Sequence, residues 1–126
     1  MNIRIDGLEE LAAALQKAAA RVPNAKQQFL AKEAAVLRGR AMKNTPVDTG
    51  LLRGSWKQTP ASGNSVTVYN NVYYGIFVEH GHRVKIHGKF TGTFVPGRHM
   101  LKKAVDETKA NFAQDGRAIM NSIFGG

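Results

Sequence analysis

A chain of 126 residues, 43% hydrophobic and 21% charged, is long enough to bury one core without cross-links, too polar for a membrane span and too apolar for a disordered tail. It has no cysteine, which excludes disulfides and thiolate chemistry and fits a reducing compartment. Its 18 Lys and Arg against 9 Asp and Glu give a net charge of +9 and a pI near 10.2. Between Lys17 and Lys103 stand 15 basic residues against three acids, Glu33, Asp48 and Glu79. Such an excess suits a solvated surface, or one that faces nucleic acid or an acidic partner protein. No secretory signal and no membrane span are expected, because no basic stretch leads into an apolar run and no apolar run is long enough.

In chain order, Leu8, Leu11, Ala12, Leu15, Ala19 and Val22 recur at three- and four-residue steps, which predicts a helix from about residue 8 that Pro23 stops. A second helix is predicted over 24–44, with Asn24 as its cap. One face carries Phe29, Leu30, Ala34, Leu37 and Ala41, and the other Lys26, Lys32, Arg38, Arg40 and Lys43. The next run, TPVDTGLLRGSW, reads as a rigid corner. Pro46 disfavours helical geometry at Thr45, Asp48 can accept backbone N–H groups two or three residues on, and Gly50 permits positive φ. Arg53 is placed to pair with Asp48 or with a neighbouring chain.

Beyond the corner the period turns to alternation. Residues 52–59 and 65–70 read as a hairpin about a turn at 60–64, and 73–80 as a short helix through Tyr74, Phe77 and Val78, with a strand as the alternative. Residues 81–97 permit a β-ribbon through Val84, Ile86, Phe90 and Phe94, and a mobile loop is expected at about 81–96. A single terminal helix runs from about residue 100 to 123, with Gly116 as its weak point and a fraying Gly125-Gly126 end. One domain over 1–126 is expected.

The chemistry-bearing residues form no strong catalytic pattern. His80, His82, His87 and His99 gather late in the chain beside Glu79, but Arg83, Lys85 and Lys89 among them would repel a cation, and no metal is expected. Ser55, His80 and Asp48 could be drawn as a triad, without the strand–turn–helix context such a nucleophile requires. No phosphate-binding glycine loop is present, so no cofactor is expected. The ribbon suits contact better: Arg83, Lys85, Lys89 and Arg98 could follow phosphates or meet an acidic partner, and Phe90 and Phe94 could stack on bases or pack on another subunit. A small basic DNA-binding protein acting through non-specific phosphate contacts is therefore one reading.

Three segments in order, TPVDTGLLRGSW at 45–56, YYGIFVEHG at 73–81 and PGRHMLKKAV at 96–105, carry a resemblance. Together they resemble small tailed-phage neck proteins, called tail-completion, head–tail joining or minor tail-component proteins. Pro46, Val47, Asp48, Thr49, Gly50, Leu52, Arg53 and Ser55 match the family's P-V-D-T-G-x-L-R-x-S joint, and Tyr74, Val78, Glu79 and Gly81 match its second segment. His80-Gly81-His82 and the basic insert through Gly92 depart from the pattern. The resemblance implies an α+β fold, a small antiparallel sheet packed against long N-terminal and C-terminal helices. It implies a non-enzymatic virion protein, assembled in the host cytoplasm, that completes the tail or joins it to the head as a ring-forming homo-oligomer, a hexamer matching the sixfold tail. Its partners would be itself, neighbouring neck and tail proteins, and non-specifically the DNA in the channel. The joint and the second segment are then structural or subunit-interface residues, and Glu79 is expected to pair with a basic residue across such an interface.

Overall fold

The computed structural model describes residues 1–5, 24–47, 50–62 and 65–124. The helix expected from residue 8, Asp48 and the Gly125-Gly126 end lie outside the described residues. The fold is α+β. Its elements are β1 (Asn2–Ile5), α1 (Ala25–Asn44), α2 (Leu51–Gly54), β2 (Lys57–Gln58), β3 (Val66–Tyr69), α3 (Gly75–His80), β4 (Gly81–Ile86), β5 (Lys89–Pro96), α4 (Met100–Ala110) and α5 (Phe112–Phe124).

Helix α1 buries the face its periodicity marks: Phe29, Leu30, Ala34, Leu37 and Ala41 are all buried. Leu30, Ala34, Leu37 and Ala41 meet Val66 and Val68, which alternation sends to one side of β3, together with Leu52, Trp56 and, from α4, Met100, Leu101 and Ala104. A smaller cluster pairs Phe29 with Ile119 of α5, flanked by Met120 and Ile123. Strand β3 is the centre of an antiparallel sheet ordered β1-β3-β2, with Ile3 opposite Val68, Ile5 opposite Val66 and Gln58 also opposite Val68. The second sheet is the two-stranded antiparallel ribbon β4–β5.

Four differences from the sequence reading have local causes. Strand β1 was not expected; its alternation is only four residues long, and pairing with β3 supplies the partner that such a strand needs. The strand predicted over 52–59 starts late, because Leu52 and Trp56, four apart and both buried, are first spaced by the helical turn α2. The terminal helix is broken at Asn111, which leaves helical geometry (φ −104°, ψ 12°) while its side-chain amide and its own N–H both donate to the Glu107 carbonyl, at 2.8 and 3.0 Å, and Gly116 lies inside α5. Asn24 precedes α1 in a left-handed conformation (φ 58°) and makes no side-chain cap; only its carbonyl takes part, accepting from the Gln28 N–H.

Candidate assembly site at the joint

Helix α1 stops at Asn44, and Thr45, extended at φ −82° and ψ 127°, turns the chain towards Pro46. The buried Thr45 hydroxyl donates to the Ala41 carbonyl at 2.6 Å and accepts the indole N–H of Trp56 at 2.8 Å. Arg53 reaches back from α2: its Nε donates to the Met42 carbonyl at 2.9 Å and its Nη2 to that of Lys43 at 3.4 Å. A guanidinium on the last carbonyls of a helix satisfies orphan acceptors and meets the negative end of the helix dipole. Gly50 opens α2 with φ 78°, and the Ser55 hydroxyl closes its far end on the Leu51 carbonyl at 2.6 Å.

The joint is tied to the second motif segment by Asn70. Its buried side-chain amide donates to the Leu52 carbonyl at 2.8 Å, its Oδ1 accepts the Val72 N–H at 3.0 Å, and its own N–H meets the Met1 carbonyl at 3.1 Å. Gly75, the first residue of α3, is buried against Leu52 and Met1, where a Cβ would lie 3.3 Å from both side chains. From α3, Glu79 turns inward and is 4% exposed. Its two carboxylate oxygens accept the backbone N–H groups of Leu101 at 2.8 Å and Lys102 at 3.0 Å. Glu79 is therefore occupied at the start of α4, where a carboxylate offsets both unpaired donors and the positive end of the helix.

At the root of the ribbon, Gly81 (φ 85°) passes so close to the returning strand that a Cβ would stand 2.5 Å from the Val95 carbonyl oxygen. Gly97 lies equally tight against the Glu79 carbonyl. Arg98 and His99 then bond back through their N–H groups to the Val78 and Glu79 carbonyls at 2.7 and 3.1 Å. The ribbon thus leaves and returns through one crossing held by backbone. At its far end the two-residue turn His87-Gly88, with φ 51° and 78°, has the positive angles of the primed hairpin turns.

These contacts bring the two motif segments onto one groove of about 430 Å³. Pro46, Gly50 and Leu52 come from the joint, Tyr74, Phe77 and Val78 from α3 and the residue before it, and His82, Val95, Pro96 and Arg98 from the ribbon and its exit. Within its lining Phe77 and Val95 are exposed. Arg53, Ser55, Glu79 and Gly81 do not line the groove; they hold the backbone of its walls. Arg83, Lys85 and Lys89 lie out along the ribbon, away from Arg98.

Helix α1 also carries a charged cluster in which Glu33 is buried and Arg40, with Asp115 of α5, is half-buried. Glu33 is 2% exposed and neither carboxylate oxygen has a hydrogen-bond donor among the described residues. Burial raises its pKa above the ordinary 4.5, Asp115 raises it further, and Arg40 acts the other way. Arg40 is not on a solvated face as its spacing suggested. Its Nη1 lies 2.8 Å from Asp115 Oδ2, an ion pair without hydrogen-bond geometry, and donates to Thr108 Oγ1 at 3.0 Å. Among the described residues no group of three or more His, Asp or Glu is arranged to hold a metal ion, and no helix is long and apolar enough to cross a membrane.

Residues 9–81 match the family model described as "Bacteriophage HK97-gp10, putative tail-component". The chain belongs to this phage tail-component family. The matched span of this HK97-gp10-like chain runs from its first predicted helix through the joint to Gly81, so it covers both segments that build the groove and stops where the ribbon begins. No curated protein and no solved structure gives a significant match.

The residues that sequence reasoning passed over are the polar ones that close the joint. Thr45 and Trp56 flank the motif and Asn70 ends a strand. A single tryptophan in a core position was a usable signal, since a buried indole N–H needs an acceptor nearby.

Proposed function

We propose that this chain is a structural subunit that completes the tail or joins it to the head, assembling in the host cytoplasm as a closed homo-oligomeric ring of six copies within the virion. The observation that carries this reading is the groove: two motif segments distant in sequence converge on one apolar-walled surface that leaves Phe77 and Val95 of its lining exposed. Ring closure by a repeated head-to-tail contact needs two different patches on each subunit. The groove is one such patch, and the rigid joint fixes its walls.

Family membership supports a role among virion proteins, and the inward-facing Arg53, Glu79 and Asn70 support a passive building block, because their polar groups are spent on backbone. The test is genetic and physical. A nonsense mutation in the gene of the phage or prophage that carries this chain should leave heads and tails unjoined in electron micrographs, and mass spectrometry should find the chain in purified particles. The isolated chain should form a species of defined mass at raised concentration. Complete, infectious particles lacking the chain would overturn the reading.

A further inference from the structure

The ribbon presents a mixed cationic and aromatic face. Arg83 stands opposite Phe94 and Lys85 opposite Phe90, with a bulge between the two pairs, so all four side chains fall on one side. Lys85 Nζ is 4.6 Å and the Arg83 guanidinium carbon 5.2 Å from the centre of the Phe90 ring. The two phenylalanines are nevertheless 55% and 58% exposed, and every residue of β5 is exposed. Residues 81–96 hold Arg83, Lys85 and Lys89 and no acid.

A two-stranded ribbon alone in water is marginal, and clustered exposed aromatics mark an interaction surface. The chemistry of the face selects its occupant. A second copy of the ribbon would set three cations against three. Nucleic acid would satisfy those cations, but the Phe90 ring is already engaged by two of them, and a phosphate backbone offers nothing apolar to cover Phe94. A protein segment carrying carboxylates between apolar side chains answers both needs.

We infer that the Arg83/Lys85/Phe90/Phe94 face docks an acidic, apolar-bearing segment of another virion protein. This rests on the assembly reading above and names the chemistry of the partner.

The test uses the full chain and, as probe, a short labelled peptide alternating Glu and Leu, compared with peptides alternating Glu and Ser or Lys and Leu and with duplex DNA. The Glu–Leu peptide should bind about tenfold or more tighter than either other peptide and tighter than the duplex. Phe90→Ser should weaken it about tenfold while leaving Glu–Ser unchanged, and Lys85→Glu should weaken both acidic peptides. Phe94→Ser serves equally should Phe90→Ser fail to fold. Equal binding of Glu–Leu and Glu–Ser, tighter binding of the duplex, or no binding of Glu–Leu would each overturn the inference. A chain present in purified particles that fails to bind Glu–Leu sinks only this inference; a chain absent from particles sinks the assembly reading.

Discussion

Trp56 donates its indole N–H to Thr45 Oγ1 at 2.8 Å while the same hydroxyl donates to the Ala41 carbonyl at 2.6 Å, so one buried oxygen ties the last turn of α1 to the residue just before β2. The hydroxyl has a single proton, which goes to α1, and the indole N–H therefore donates to one of its two lone pairs. Thr45→Val keeps the shape and strands a buried N–H, at a cost of about 1–3 kcal/mol. Urea unfolding followed by the fluorescence of Trp56, the one tryptophan of the chain, measures it. An unfolding midpoint equal to that of the unaltered chain would show that the tie contributes nothing.

Glu79 is the strongest polar link between the second motif segment and the C-terminal helices, because its two oxygens take two backbone donors at the start of α4. Glu79→Gln retains one acceptor and turns an amide N–H towards a backbone N–H, which should cost about 1–2 kcal/mol. Arg53→Leu, on a half-buried guanidinium at the end of α1, should cost less, about 0.5–1 kcal/mol. Thermal unfolding ranks the two. The reverse order would mean that the Arg53 clasp, not the Glu79 cap, holds the groove together.

How much of this was legible beforehand follows from the range of each interaction. The buried face of α1 was readable because Phe29, Leu30, Ala34, Leu37 and Ala41 repeat within a single element. The groove was half readable: Pro46, Gly50 and Leu52 announce a corner, yet nothing local says that Tyr74 and Val78 arrive beside them, since Asn70, just after β3, makes that link. Strand β1 and the break at Asn111 were missed for opposite reasons. The first depends on a partner more than sixty residues away, and the second on the backbone of one residue, Asn111, whose side chain folds back on the Glu107 carbonyl within an otherwise helical pattern. Glu33 drew no reading beyond its charge, since its burial and its neighbour Asp115 of α5 could not be read from α1 alone.

The two glycines on either side of α4 separate steric need from propensity. At Gly81 a side chain meets both a positive φ of 85° and the Val95 carbonyl oxygen at 2.5 Å, so Gly81→Ala must open the base of the ribbon. Gly116 sits inside α5 with nothing within 4 Å of an added Cβ, so Gly116→Ala should stabilise the chain by about 0.5–1 kcal/mol. Calorimetry should move the two melting temperatures in opposite directions, and protease cleavage within 81–96 should quicken only for Gly81→Ala. Equal effects would mean that the crossing at the ribbon's root is not tight.

The buried Glu33 carboxyl gives stability a pH dependence whose direction is fixed by its surroundings. Burial first, and Asp115 second, hold its pKa above the ordinary 4.5, so the folded chain prefers the protonated acid. The contribution is fully present below about pH 4.5 and is lost as pH rises through the folded value, because the fold must then bury a charge that no donor among the described residues receives. Glu33→Gln removes that ionisation while keeping the shape. Its melting temperature should match the unaltered chain in acid and exceed it increasingly towards neutral pH. Arg40→Met, which removes the one nearby group that favours the carboxylate, should push the loss of stability to higher pH only while Glu33 is present. Parallel pH profiles for the Glu33→Gln and unaltered chains would show that the carboxyl finds compensation on folding, and the strain assigned to it would have to be given up.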